Sequence, residues 1–185
     1  YRGVKNQFLV LASEMHAAGM NAGDINGIAF DIVASSGSTL TNFQVEMKST
    51  TQNSIINWDD NNLTTQFGPS NYTDHIGWNQ HNFSSPFYWD GISNILIKTC
   101  FHNSSWGNNA VMNMSNYAYN TLILRRRDSD PCPSSWINGI ENKRPNIRFQ
   151  LVDINVPPNS DFSVNSNVSC DGSVVFTDLS SNYPT

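Results

Sequence analysis

Charge is scarce in this sequence. Asp, Glu, Lys and Arg make up 14% of the 185 residues and apolar residues 38%, both below the usual share in globular proteins. A disordered chain would also be poor in aromatic residues, but these account for 11% here. Polarity without charge, supplied by Asn, Ser and Thr, is typical of β-rich extracellular proteins. The composition therefore predicts a folded, extracellular chain.

A basic surplus is missing as well. The formal net charge is −5 and the isoelectric point is about 5.1, whereas a nucleic-acid-binding domain usually carries an excess of Lys and Arg. We therefore expect no nucleic-acid partner. The short basic run at residues 125–127 is interpreted as a solvated strand end or, alternatively, as a contact for an anionic glycan or partner.

Long apolar runs and familiar catalytic motifs are absent. No run reaches the roughly 18 residues of a membrane-spanning helix, so we expect no transmembrane segment. The serine-hydrolase motif G-x-S-x-G and the zinc-protease motif H-E-x-x-H do not occur. The sequence thus predicts a protein that is not an enzyme.

Cysteine is rare, with Cys100, Cys132 and Cys170 the only three. Their spacing matches no zinc or redox motif. In a chain of exported composition, the simplest pairing joins Cys100 to Cys132. The closed loop of about 30 residues would contribute on the order of 3–4 kcal/mol to stability. Cys170 would then have its partner outside this sequence.

Alternation of apolar and polar residues is the dominant pattern. It marks "GIAFDIVA" and "TNFQVEMKST", which we interpret as a hairpin around the turn "SSGST". In the second of these strands, the alternation predicts one buried face and one solvent-exposed face. The apolar face holds Phe43, Val45 and Met47, and the polar face holds Gln44, Glu46 and Lys48.

Helical signals are confined to one short stretch, for which Ser13 is the predicted N-cap and Gly19 the stop. Further strands are predicted at "IGWNQHNFS", "NILIKTCFHN", "AYNTLILRRR" and "NIRFQLVDI". Many short strands joined by Gly, Asn, Ser and Pro turns predict an all-β fold, a jelly-roll-like antiparallel β-sandwich.

A boundary is expected at Pro157 and Pro158, because proline cannot donate to a strand ladder and stiffens the chain. We predict a sandwich module over residues 1–154, a linker over 155–158 and a second β domain beginning at 159–185. The last segment is too short to bury a core by itself, so we expect that domain to be cut short here.

Three stretches, "NQFLVLASEMHAAGMNAGDINGIAFDIV", "FSSPFYWDGISNILIKTCFHN" and "KRPNIRFQL", resemble a module of large Bacteroidetes surface proteins. These proteins include gliding-motility adhesins and other cargo of the type IX secretion system. The tail is similar to the opening of a PKD-type repeat, an immunoglobulin-like sandwich. That similarity is carried by Phe162, Val168, Val174, Phe176, Thr177, Asp178 and Ser180.

The resemblance implies β-sandwich folds, a cell-surface or secreted location, a role in adhesion or spacing, and no catalytic residues. It implies flanking domains of the same polypeptide and the type IX secretion machinery as partners. Two alternatives stay open. One is a carbohydrate-binding module of a secreted hydrolase, and the other is a filament subunit completed by strand addition from a partner chain.

The segment "FYWDG" supports two interpretations. In the first, Asp90 and Gly91 form a hairpin turn, and Phe87 and Trp89 pack into the sandwich. In the second, Tyr88 and Trp89 form a stacking platform for a surface glycan, with Asp90 accepting hydroxyl hydrogen bonds. Buried aromatic residues dominate β cores, which favours the structural interpretation.

Two acidic pairs are candidates for a bound ion. Asp59 and Asp60, and likewise Asp128 and Asp130, place hard oxygen ligands on polar loops, which suits a structural calcium ion. Neither run has the EF-hand pattern. No other cofactor is predicted. Solvated carboxylates without metal are the favoured interpretation, and catalysis by either pair is the least favoured one.

Overall fold

The computed structural model describes residues 1–151, 162–164 and 176–179. The chain divides into two compact units, Tyr1–Val152 and Asp153–Thr185. The predicted linker at 155–158 lies outside the described residues, as do Val168, Cys170, Val174 and Ser180. In the described part, no helix is long and apolar enough to cross a membrane.

Strands make up almost all regular structure of the first unit. Residues 1–151 contain β1 (Gly3–Val10), α1 (Ala12–Ala17), β2 (Gly23–Ala34), β3 (Thr39–Thr50), β4 (Thr64–Thr73), β5 (Gly77–Trp89), β6 (Asn94–His102), β7 (Val111–Met112), β8 (Met114–Asn116), β9 (Leu122–Arg127), β10 (Gly139–Glu141), β11 (Lys143–Pro145) and β12 (Ile147–Leu151). In the second unit, β13 (Phe162–Val164) pairs antiparallel with β14 (Phe176–Asp178).

Two main sheets and a small two-stranded sheet, in which β8 pairs with β11, form the first unit. The six-stranded sheet has the order β10-β9-β1-β6-β3-β4, and the four-stranded sheet has the order β12-β2-β5 with β7 added on β2. The neighbouring strands run antiparallel. Along the chain from β1 to β6, every connection between successive strands crosses from one main sheet to the other, except that between β3 and β4. Such crossings are typical of jelly rolls. The predicted all-β sandwich is confirmed.

The main core lies between the two sheets. Alternate side chains of each strand enter it, as the period of two residues requires. Its buried members include Phe8 and Val10 of β1, Ile28 and Phe30 of β2, Val45 and Met47 of β3, Phe87 and Trp89 of β5, Ile95 and Ile97 of β6, and Leu122 and Leu124 of β9.

The predicted hairpin of β2 and β3 is wrong. β2 pairs with β5 and β12, whereas β3 pairs with β4 and β6 in the other sheet. Phe30 and Phe43 belong to one core cluster, so these strands face each other across the core. The connection between them is held by Asp74, whose carboxylate accepts hydrogen bonds from the backbone N–H (3.0 Å) and hydroxyl (2.9 Å) of Ser36.

The predicted helix exists but begins earlier than expected. Its N-cap is Leu11 and not Ser13. The carboxylate of Glu14 accepts the backbone N–H of Leu11 at 2.8 Å, which satisfies a donor at the helix start. The helix ends at Ala17, shortly before Gly19, whose φ of +83° suits the predicted stop.

The outer face of the six-stranded sheet is covered. The predicted solvent-exposed face of β3 is therefore wrong. Residues 51–63 cross this face and place Ile55 against Leu9, Leu96 and Ile123 in a second buried cluster. The side chains of Glu46 and Lys48 are only 15% and 12% exposed. This sheet is therefore buried on both faces over part of its area.

Candidate functional site

Ionisable side chains gather on the covered face of the six-stranded sheet. Gln7 and Glu46 both lie opposite Lys98 in the strand register, and Lys5 lies opposite Cys100. Because alternate residues share a face, these side chains point to the same side of the sheet. Residues 51–63, the covering loop, add Asp59 and Asp60. We call this set the outer-face cluster; its members are Lys5, Gln7, Glu46, Lys48, Asp59, Asp60 and Lys98.

Lys5 is the most deeply buried member, with no exposed surface. Its Nζ donates to Oδ2 of Asp60 at 2.7 Å and to the backbone oxygen of Ser134 at 3.1 Å. The same ammonium lies 4.3 Å from the ring centroid of Trp58. Burial lowers the pKa of Lys5, and the hydrogen bond to Asp60 acts against that shift. A carboxylate, a carbonyl and an aromatic face thus surround the ammonium.

Asp60 and its neighbours extend the network. Its Oδ1 accepts a hydrogen bond from Gln7 Nε2 at 3.2 Å and lies 3.5 Å from Lys98 Nζ. Lys98 also pairs with Glu46 at 2.9 Å. Asp59 pairs with Lys48 and accepts from another side-chain amide. The cluster contains three ammonium groups and three carboxylates, so its charges are balanced.

Asp59 and Asp60, the first candidate pair for calcium, are engaged in ion pairs. Calcium binding needs carboxylate oxygens that converge on an empty position. Here Asp59 and Asp60 direct their oxygens to Lys48, Lys5 and Lys98 instead. A divalent ion among them would face three ammonium groups at close range. The structure therefore assigns these two aspartates to ion pairs.

The second predicted calcium pair lies beside the disulfide. Asp128 Oδ1 accepts the backbone N–H of Arg2 at 3.2 Å, and Asp130 Oδ1 accepts that of Cys132 at 2.9 Å. Ligand-type atoms of Asp130, Cys132 and Cys100 lie within 4.8 Å of one another. Both sulfurs are shared in a disulfide, so neither supplies a thiolate to a metal. Asp130 thus stabilises the turn that carries Cys132, and Asp128 links this loop to Arg2, the residue before β1.

The predicted disulfide is present. Cys100 of β6 and Cys132 are bonded with their Cα atoms 5.7 Å apart, within the usual range for such bonds. The bond attaches the sheet to residues 128–138, the loop between β9 and β10. Lys5 binds the carbonyl of Ser134 in the same loop. One covalent bond and one buried cation therefore hold this loop on the sheet.

The sugar platform, the less favoured interpretation of "FYWDG", does not form, because Tyr88 and Trp89 occupy opposite faces of β5. Tyr88 is 64% exposed, whereas Trp89 is completely buried. The indole N–H of Trp89 donates to the backbone oxygen of Ser93 at 2.7 Å, and its ring lies 5.3 Å from that of His16. Trp89 thus has no face available to a glycan.

Asp90 serves the turn after β5. Its Oδ1 accepts the backbone N–H groups of Ile92 (2.9 Å) and Ser93 (2.7 Å), and its Oδ2 accepts the Ser93 hydroxyl (2.6 Å). These bonds, led by that from the hydroxyl, lower the pKa of Asp90. Gly91 has a φ of +76°. The turn joins strands of different sheets, so it is a crossover and not the predicted hairpin.

An aromatic cage around His81 was not predicted. The imidazole is 2% exposed, and its centroid lies 4.7–5.0 Å from the rings of Tyr72, Phe67 and Phe43. Burial lowers the pKa of His81 to about 4, so the ring is neutral at physiological pH. Alternation along "IGWNQHNFS" places His81 on the face of Phe83, a signal that could have marked it as buried.

A search of protein-family models, curated proteins and solved structures found no match to this chain. The function is therefore argued from the geometry and chemistry of its residues.

Proposed function

We propose that this chain is a non-enzymatic extracellular module of a large exported bacterial surface protein, acting in adhesion or as a structural spacer. The observation that carries the proposal is the bond between Cys100 and Cys132. Disulfides persist in oxidising environments outside the cytosol and are rare within it. Cys100 is a strand residue with no exposed surface, so the bond is part of the folded architecture.

The outer-face cluster supports a rigid module. Lifting residues 128–138 from the sheet would break the hydrogen bond from Lys5 to Ser134, and lifting residues 51–63 would remove Asp60 from the buried ammonium of Lys5. Leaving a buried charge unpaired is strongly unfavourable. Both loops are consequently held in place, which suits a domain that must keep its shape outside the cell.

The surroundings of the buried ionisable groups favour a non-catalytic role. The carboxylates of Glu46, Asp59 and Asp60 each have a lysine partner. His81 lies inside an aromatic cage. A general base needs a reachable substrate proton, and a nucleophile needs such a base beside it. These groups instead stabilise the packing of the loops and strands around them.

The expected partners follow from the resemblance of "FYWDG" and its neighbouring stretches to Bacteroidetes surface modules. They are the flanking domains of the same polypeptide and, during export, the type IX secretion machinery. The antiparallel pair β13–β14 supports the idea that an immunoglobulin-like, PKD-type repeat begins in the second unit.

Surface labelling of the source organism tests this proposal. Antibodies raised against residues 1–151 should label intact cells or the secreted fraction, and externally added protease should remove the cell-bound signal. The material recovered without reductant should contain the Cys100–Cys132 peptide pair. A cytosolic control protein must stay unlabelled and protected. Labelling that appears only after permeabilisation, together with free thiols, would contradict an extracellular role.

A further inference from the structure

A cleft of about 290 Å³ opens between residues 38–41, where β3 begins, and residues 103–107, which follow β6. This volume is close to the lower limit for small-molecule sites, roughly 300 Å³. The side chains that line the cleft are hydroxyls, one amide and one indole, and none of them carries a charge. We call it the Trp106 cleft.

Trp106 is the unusual residue of this cleft. Its side chain is 75% exposed, although tryptophan is on average highly buried. In the part of the chain that the structure describes, its indole has no hydrogen-bond or ring partner. An aromatic face and an N–H donor are therefore both available to a ligand that is apolar on one side and polar at its edge.

Hydrogen-bonding groups surround the indole. The amide of Asn103 is oriented by its Oδ1, which accepts the backbone N–H of Thr41 at 2.8 Å. Its Nδ2 has no protein acceptor among the described residues, and neither do the hydroxyls of Thr41 and Ser105. Each hydroxyl can both donate and accept, so the lining can match a ligand bearing several hydroxyl groups.

Hydrogen bonds hold the wall that carries Trp106 against Arg2, the residue before β1. The backbone N–H of Asn103 donates to the oxygen of Arg2 at 2.9 Å, and Arg2 Nη1 donates to the oxygen of Ser104 at 3.1 Å. Gly107 lies so close to Ser38 that a Cβ at this position would be 2.5 Å from the serine Oγ. The approach of Gly107 to Ser38 brings the two walls together, and the bonds to Arg2 hold one wall in place. Such preorganisation limits the entropy lost on binding.

We propose that the Trp106 cleft binds a neutral saccharide. One sugar ring stacks its C–H face on the indole of Trp106, and its hydroxyls bond to Asn103, Thr41 and Ser105. The absence of charge in the lining favours neutral sugars over sialylated or uronic-acid glycans, which call for Arg or Lys. The assignment rests on the proposed adhesive role and names the ligand class for it.

Binding of the whole 185-residue chain to a glycan array tests this assignment. The array should carry neutral oligosaccharides built from glucose, galactose, mannose or their N-acetyl forms, together with sialylated and uronic-acid glycans. We expect binding to neutral members. The chain has five tryptophans, and NMR titration with the best binder should shift the indole N–H signal that is missing in Trp106→Phe.

Single variants then locate the site. Trp106→Ala should weaken binding about tenfold or more, equivalent to about 1.4 kcal/mol, and Trp106→Phe should lose less because a ring face remains. Trp136→Ala is the matched control, since Trp136 is 73% exposed but lies outside the cleft, on the disulfide-bonded loop. This variant should bind as the unaltered chain does. Thermal unfolding must show that all three variants are folded.

Two results would overturn the assignment. One is that the unaltered chain binds no neutral glycan on the array, and the other is that binding survives in Trp106→Ala or is lost equally in Trp136→Ala. Neither result bears on cell-surface exposure, because the labelling of intact cells is independent of ligand binding. The two proposals can thus fail separately.

Discussion

The ammonium of Lys5 lies 2.7 Å from the carboxylate of Asp60, yet the two side chains differ greatly in exposure. Lys5 has no exposed surface, whereas the side chain of Asp60 is 42% exposed. A fully buried cation therefore depends on an anion at the rim of the covering loop. This asymmetry predicts that the two residues will respond differently to substitution.

Asp60→Ala should lower the free energy of unfolding by about 2–3 kcal/mol, because it leaves the buried ammonium of Lys5 without its counter-charge. This loss of stability is smaller than that expected for a fully buried pair, because water reaches Asp60. Lys5→Met should lower the free energy of unfolding by less than Asp60→Ala does. In the Lys5→Met background, Asp60→Ala should have a clearly smaller effect than in the unaltered chain. Urea denaturation of the four proteins measures the coupling.

Asp24→Ala provides the matched control, because Asp24 is an exposed aspartate of β2 that belongs to no ion pair in the described part of the chain. It should change stability by less than about 0.5 kcal/mol. Equal effects of Asp60→Ala with and without Lys5 would show that the pair is not coupled.

Trp89→Ala should lower stability by about 3–5 kcal/mol, because a large, fully buried side chain is lost and the cavity closes only partly. Tyr88→Ala, on the exposed face of the same strand, should have a much smaller effect. Thermal or urea unfolding distinguishes the two. An unchanged melting temperature for Trp89→Ala, with loss of glycan binding, would restore the sugar-platform interpretation.

His81 should make the protein sensitive to mild acid. Its pKa is about 4 in the folded protein and near the ordinary value of 6.5 when unfolded. Between these values the unfolded chain binds more protons, so stability rises with pH and falls on acidification. The contribution lost between pH 6.5 and 4 is about 3 kcal/mol.

His81→Phe keeps an aromatic ring in the cage but cannot be protonated. The slope of unfolding free energy against pH should therefore be shallower in this variant between pH 4 and 6.5. His75→Gln is the control, since His75 is exposed, and it should keep the original slope. Parallel pH profiles for His81→Phe and the unaltered chain would contradict a buried neutral imidazole.

Replacing both Cys100 and Cys132 by Ala should lower stability by about 3–4 kcal/mol, the loop-closure value for a bond that spans 32 residues. The loss arises mainly because the unfolded chain regains conformational freedom. Mass spectrometry of a non-reduced digest checks the bond directly. Recovery of both residues as free thiols would refute the pairing, whatever the stability of the variant.

Much of the local structure could be read from the sequence. Alternation along "TNFQVEMKST" correctly places Phe43, Val45 and Met47 on a buried face, since successive side chains of a strand point to opposite sides. The Cys100–Cys132 bond follows from the small number of cysteines and the exported composition. In both cases the signal lies in residue types and short spacings, which depend little on the rest of the fold.

Strand partners and the covered face were decided by tertiary structure. Nothing in the turn "SSGST" reveals that β2 and β3 enter different sheets, because that depends on where distant β5 and β6 pair. Lys5, Gln7 and Lys98 look like solvent-facing residues in the sequence. They become buried because residues 51–63 and 128–138, far along the chain, fold over them and supply carboxylate and carbonyl partners.

The sequence by itself therefore determined the all-β class, the alternation of buried side chains and the disulfide. The tertiary structure decided which strands pair, that Trp89 is inside while Trp106 borders a cleft, and that Asp59 and Asp60 bind lysines. The physical reason is distance along the chain. Backbone geometry and residue polarity act locally, whereas ion pairs, cages and clefts form between segments that only the completed fold brings together.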